Sequence, residues 1–290
     1  CISCHNEITS RLELVEGCAR FDLRKCLEGF CCACDDHDFQ ASAEAGRFIV
    51  PFGAFYQQVN PGVYRTVTVP LIYNMGQRAR DGQIGDSVLP MPYSDEGANL
   101  NSELLLTEGL TATLDAYVVN GLQGGNDGID FDASREYVDN NRSPATGGRA
   151  TIGTKSLRLG GSVVGGRFGN NGPSDIDGRG LNYLIYGADV TYRLQDLVRL
   201  QFEYAQRETD RIAELDELTR IRERVGGYYL EGEFLLSRIY RLNFLARYDS
   251  QSRSSLATVP DSDLPTGNFA VHRFTYGLNW SLPGGRLLMI

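Results

Sequence analysis

The first five residues carry the most recognisable chemistry in the chain. Cys1, Cys4 and His5 spell C-x-x-C-H, a spacing at which two thiols bond a porphyrin and the imidazole supplies an axial ligand to its iron. All seven cysteines, at 1, 4, 18, 26, 31, 32 and 34, fall within residues 1–38, with two of the three histidines. Three readings fit that crowding: thiols incidental to a pair of strands and their turn, a c-type haem on Cys1, Cys4 and His5, or a zinc or disulfide cluster. Attachment of such a haem takes place outside the cytoplasm, so the second reading implies a compartment. Beneath the cysteines, Leu12 and Leu14, then Phe21 and Leu23, alternate with polar residues as strands do.

Charge is the second resource. Arg158, Asp189, Arg193, Arg199 and Glu203 fall on the polar side of alternating segments, and so do Glu231, Glu233, Arg241, Arg247 and Arg273. Where such a side encloses water, these residues line a pore, and their mixed signs set a field across it rather than a ring of one charge. The arginines suit two ends: contacts with anions, or a salt-bridge ladder between neighbouring strands, such as Arg193 with Glu203. Catalysis has little to draw on. Beyond residue 38 the only histidine is His272, and hydrolysis needs an activated nucleophile beside a base, so an enzyme is not expected. The glycines of 160–169 lack both the G-x-x-x-x-G-K-[ST] pattern and a strand-to-helix setting, and read as strand glycines rather than a phosphate cradle.

The elements that must position these charges are clearest at 182–206. Leu184, Tyr186, Ala188, Val190, Tyr192 and Leu194 alternate with Ile185, Gly187, Asp189, Thr191 and Arg193; after Gln195 and Asp196, Val198, Leu200, Phe202 and Tyr204 alternate with polar residues. That is a hairpin with one apolar face. Tyrosines stand at both ends of the face with aliphatics between, which suits a bilayer crossing, and each arm has about the ten residues a tilted spanning strand requires.

The same rhythm recurs. It marks strands at 39–49, around 98–118, 150–153 and 157–168, 225–248 and 270–282, where Phe274, Tyr276, Leu278 and Trp280 face one way and Arg273, Thr275 and Asn279 the other. Connections between them alternate short and long. Tight turns at 108–109, near 154, 195–196, near 238 and 283–285 are separated by polar stretches at 123–147, 169–180, 209–224 and 249–268. A barrel with tight turns at one rim and long loops at the other has this segregation, whereas a soluble sandwich has no reason for it. The fold expected is therefore all-β: an antiparallel transmembrane β-barrel over 39–290, preceded by the cysteine-rich segment 1–38. About a dozen strands are visible, against roughly 16 to 18 in a complete porin-type barrel.

Two stretches depart from the rhythm. Residues 50–76 hold Pro51, Pro61 and Pro70, which forbid a long central strand, yet are too apolar for a solvated loop. They read either as a loop folded into the lumen, with Phe52, Phe55, Tyr56, Tyr64 and Arg65 as constriction candidates, or as a rim segment packed on the barrel mouth. In 209–224, Ile212, Leu215, Leu218 and Ile221 recur at near-helical spacing among dense charges, which predicts a short amphipathic helix.

The totals agree. Mean hydropathy is −0.26 and no apolar run reaches the eighteen or so residues of a spanning helix. A net charge of −9 repels nucleic acid phosphates. The chain opens at Cys1 without a leader and stops just after a turn, so a piece of a longer reading frame is the expectation.

The run Gly46, Arg47, Phe48, Ile49, Val50, Pro51, Phe52, Gly53, with Asn60 and Pro61 downstream, resembles the G-[RK]-[FY]-x-x-P-[FL]-G stretch of porin-like bacterial outer-membrane proteins, including phosphate-selective porins and their relatives. The strand ending Val118, Val119, Asn120, Gly121 is similar to a segment of the same proteins. The resemblance covers most of the chain from Phe39 on. It implies a passive channel in the outer membrane of a Gram-negative bacterium, for small hydrophilic solutes, anions among them, with lipid as its surroundings and a homotrimer as a candidate assembly. The cysteine-rich beginning departs from that pattern and keeps a second reading open, a barrel sheathing a haem electron conduit.

Overall fold

A period of two over ten or more residues leaves a segment one way to bury half its side chains, which is to pair with neighbours in a sheet. The computed structural model describes residues 2–3, 11–12, 17–23, 39–58, 68–74, 87–125, 128–131, 134, 143–169, 180–212, 220–255, 269–282 and 286–289. Among them, twelve strands form one antiparallel sheet in which each pairs with the next along the chain. They are β1 (Gly17–Asp22), β2 (Phe39–Ile49), β3 (Ser94–Thr107), β4 (Leu110–Val119), β5 (Ala145–Gly153) and β6 (Leu157–Arg167). After these come β7 (Asn182–Leu194), β8 (Val198–Ile212), β9 (Arg220–Ser237), β10 (Leu242–Ser255), β11 (Phe269–Leu282) and β12 (Arg286–Met289). β1 and β12 are the sheet's two edges within the described residues. Three short pairs lie apart from it: Ile2–Ser3 with Arg11–Leu12, Gln123–Gly125 with Gly128–Asp130, and Tyr73–Asn74 parallel to Leu89–Pro90.

The hairpin at 182–206 forms in the expected register, with Val190 opposite Phe202 and Asp189 opposite Glu203. Gln195 turns it in the left-handed region, at φ 49°. From β3 on, connections alternate as the sequence indicates: 108–109, 154–156, 195–197, 238–241 and 283–285 at one end, 120–144, 168–181, 213–219 and 256–268 at the other; 23–38, between β1 and β2, is a long connection at the short-turn end.

Among the described residues of 209–224, where a helix is expected, there is none; 213–219 lie outside them. Residues 209–212 extend β8 and 220–224 open β9. The charges that resembled a solvated helix face are cross-strand partners instead: Glu208 stands opposite Arg224, 3.1 Å apart at their nearest atoms, and Asp210 stands opposite Arg222. Paired strands put opposite charges side by side, an arrangement that near-helical spacing of four apolar residues cannot outweigh. Strands β5 and β10 likewise reach further, to Ala145 and Ser255, into stretches that composition alone marks as loop.

The two faces of the sheet differ sharply. On one, Leu184 (41 % exposed), Phe202 (37 %) and Leu278 (37 %) stand open, with Leu114, Leu159, Leu230 and Trp280 in the same condition. On the other, Asp189, Gln201, Glu203, Arg207 and Arg247 are buried. Described parts of the segment 50–93 lie against that face, with Gly53 beside Ser162 on β6 and Val69 beside Arg273 on β11, and the Arg207 guanidinium lies 5.1 Å from the Phe131 ring centre. The sheet curls, since one cavity on its charged side is lined from Asn101 on β3 to Asn243 on β10, and that side is the one it encloses.

Candidate functional site: the enclosed face and its infolded segment

The enclosed face divides into three zones along the strands. Nearest the short turns lies a cavity of about 1160 Å³ lined by strands β3 to β10. Arg158, Arg193 and Arg241, and deeper Asp189, Arg199 and Glu233, line it, as do Thr191 and Gln201. Tyr56 and Gln58 of the short turn of helix Phe55–Gln58 contribute to its wall. Lys155, Arg158, Arg193, Arg238 and Arg241 are exposed around the short-turn mouth and form no ion pair among the described residues. Arg199 sits further in, 3.9 Å from both Glu231 and Glu233.

In the middle zone the wall grips the infolded segment. Glu203, fully buried, accepts hydrogen bonds at Oε2 from the backbone N–H groups of Ala54 (3.1 Å) and Phe55 (3.2 Å) and from the Tyr229 hydroxyl (2.9 Å), and at Oε1 from the Tyr73 hydroxyl. Burial, and then the Glu203 carboxylate beside it, pushes the Tyr73 hydroxyl well above its ordinary value of 10.0, so it remains a donor. Gly53 makes the close approach possible: its φ is +64°, and a Cβ there would collide with Glu203 Oε1. Its N–H donates to Ser162 Oγ at 3.1 Å, and Gln58 Nε2 donates to Gln201 Oε1 at 2.8 Å.

A second grip lies on β10 and β11. Arg247 Nη2 donates to the carbonyl and hydroxyl of Thr68, both at 2.7 Å, while its Nε meets Asp249 at 3.1 Å and its Nη1 meets Glu231 at 3.4 Å. Arg273 bridges Asp249, at 3.2 Å, and the Val69 carbonyl, and Leu71 N–H donates to Asp249 at 3.2 Å.

Towards the long connections the same face turns apolar. Val164, Ile185, Ala205 and Val225 point inward with Tyr117 and Tyr183, and Phe52, Phe55, Ile72, Val88 and Leu89 of the infolded segment pack with them in one core.

The charged residues singled out from sequence therefore share one face but not one role. Asp189, Arg193, Arg199, Arg158, Glu233 and Arg241 meet the cavity, whereas Glu203, Glu231, Arg247 and Arg273 sit in bonded clusters. Arg193 is opposite Arg199 and makes no ladder with Glu203, whose neighbour across the strands is Asp189. Phe52 and Phe55 are buried, Tyr56 reaches the cavity, and Tyr64 and Arg65 lie outside the described residues, as do Cys1, Cys4 and His5. Cys18 is on β1, where its thiol donates to Glu44 at 2.7 Å. Among the described residues no group of three His, Cys, Asp or Glu is placed to hold a metal.

Sequence reasoning passed over Arg149 and Asp249. Arg149 forms a bidentate pair with Asp189, at 2.6 and 2.9 Å, and its guanidinium lies 5.6 Å from the Tyr56 ring centre. Arg149 falls just before the strand expected at 150–153 and Asp249 opens the stretch 249–268 expected as loop; extending the period of two by one or two residues, from Thr151 back to Arg149 and from Arg247 on to Asp249, places each inward.

No family model matches the chain, and no curated protein matches it.

Proposed function

We propose that the chain is an outer-membrane β-barrel of the porin kind, a passive channel for small hydrophilic solutes, with anions favoured. The observation that carries this reading is the inversion of the faces. An apolar surface stands uncovered on β3 to β11 while buried charge and a cavity of about 1160 Å³ occupy the other side. In water, that surface would be a liability far beyond the usual apolar patch. In a bilayer it is what a spanning strand requires, with Tyr192, Tyr228, Tyr240, Tyr276 and Trp280 exposed on the surface as interfacial residues. The segregation of short and long connections and the resemblance at 46–53 support the same reading.

The preference for anions rests on the mouth at the short turns. Lys155, Arg158, Arg193, Arg238 and Arg241 line the cavity there, with Asp196 and Glu103 as acidic residues of the same lining. Excess positive charge at a narrow entrance raises the local concentration of anions. The test is conductance of the purified chain in a planar bilayer under a salt gradient. Stepwise currents with a reversal potential on the chloride side are expected, and a protein that inserts but passes no current would end the channel reading.

A further inference from the structure

The charges of the enclosed face are unequally used, and the most heavily used is Glu203. Four donors converge on its carboxylate, three of them from the infolded segment: the N–H groups of Ala54 and Phe55 and the hydroxyl of Tyr73. The first two belong to the turn that carries Tyr56 and Gln58 to the cavity, and the third belongs to the arm that returns from it. Tyr229, the fourth donor, also accepts a hydrogen bond from Gln201 at 2.6 Å, and Gln201 in turn accepts from Gln58. The Phe55 ring lies tilted 5.1 Å from Tyr73 and edge-on 6.2 Å from Tyr229, so both arms and the wall meet at one carboxylate.

We propose that Glu203 is the positioning residue that sets the bore of the passage, by fastening residues 53–58 and Tyr73 across the enclosed face between the cavity and the apolar core behind them. The inference rests on the channel reading. Its physical basis is that a carboxylate accepting several hydrogen bonds away from water has no equal among the other contacts of this turn. Ser162 and Gln201 each add a single neutral bond, which is weaker than a charge-assisted one. Without Glu203 the backbone donors of 54 and 55 lose their acceptor in a buried place and the turn must move to water to satisfy them. The cavity that Ala54, Tyr56 and Gln58 already line adjoins it.

The experiment compares the full chain with Glu203→Ala, Glu203→Gln and Tyr73→Phe in planar bilayers, with strand content checked by circular dichroism and solute cut-off read by swelling of liposomes in a series of sugars. Glu203→Ala is expected to change single-channel conductance by about twofold or more and to shift the sugar cut-off, because bore and lining determine what passes. Glu203→Gln keeps one acceptor oxygen but puts an amide NH2 where the other oxygen accepted and makes the remaining bonds neutral, so it is expected to fall between the parent and Glu203→Ala. Tyr73→Phe removes one donor without removing the acceptor, and should likewise fall between the parent and Glu203→Ala; it also keeps the test alive should the alanine variant fail to fold. Parent-like conductance and cut-off in folded Glu203→Ala, or in Tyr73→Phe when the alanine variant does not fold, would overturn the inference while leaving the channel reading in place. Absence of current from every form, parent included, would instead overturn the channel reading and this inference with it.

Discussion

Arg149 and Asp189 join across an intervening strand: one stands on β5, the other on β7, and their bidentate pair passes over Gly160 of β6. A Cβ on Gly160 would lie 2.6 Å from Asp189 Oδ2 and 2.8 Å from Arg149 Nη2. That strand position is a glycine because a side chain would occupy the path of the ion pair. Gly160→Ala should destabilise the folded protein by about 1–3 kcal/mol through overpacking. Asp189→Ala should cost more, about 3–5 kcal/mol, since it strands a buried guanidinium. Urea midpoints of the protein folded in lipid vesicles give both values, and in the Asp189→Ala background Gly160→Ala should cost less than in the parent.

Arg247 holds two carboxylates and Thr68 at once. Its replacement by alanine leaves Glu231 and Asp249 facing each other's charge in a buried cluster and should cost about 3–5 kcal/mol. Asp249→Ala in that background should cost less than it does alone, because the repulsion it relieves exists only after the arginine is gone. Additive costs by the same urea measurement would show that the two do not act as a unit.

The Tyr73 hydroxyl offers a pH test. Its folded-state value is raised above the unfolded one near 10, so its contribution is complete below about pH 10 and fades as pH rises through the raised value. The difference in stability between the parent and Tyr73→Phe should thus be constant from neutral pH to about 10 and shrink above it. A difference that grew with alkalinity would contradict the burial of this hydroxyl against Glu203.

How far the fold could be read from sequence follows from where each signal resides. Alternation is local, so strands such as Phe39–Ile49 and the 182–206 hairpin are visible in the chain itself, as is the segregation of the turns. The roles of inward residues are not local. Val164, Ile185 and Val225 interrupt the polar side for no reason apparent in their strands; the reason is the packing of Phe52, Ile72 and Leu89 over them, contributed by a segment distant in sequence. Glu203 and Arg193 look alike as members of a polar side, and only the fold separates an anchor bonded to the segment 50–93 from a side chain at an open mouth. The charges of Glu208, Asp210, Arg222 and Arg224 misled because a cross-strand pair and a solvated helix share a composition and differ in partner.

Substitution by arginine distinguishes the faces. Ala188, in the middle of β7, is exposed on the uncovered side and Thr191 meets the cavity. Ala188→Arg should cost about 2–4 kcal/mol in a bilayer near its midplane. Thr191→Arg should leave stability within about 0.5 kcal/mol, as surface changes do, and move the reversal potential further toward chloride. Equal costs at the two positions would remove the assignment of faces.

The chain's single tryptophan provides the most direct measurement of that assignment. Trp280 is on the uncovered face, 41 % exposed, three residues before the turn at 283–285. In vesicles, its fluorescence should be quenched by lipids brominated on the acyl chain, most strongly where the bromines lie near the headgroup, and should resist aqueous iodide. Quenching by iodide with no response to brominated lipid in the folded, vesicle-bound protein would contradict a membrane-facing apolar surface and the channel built upon it.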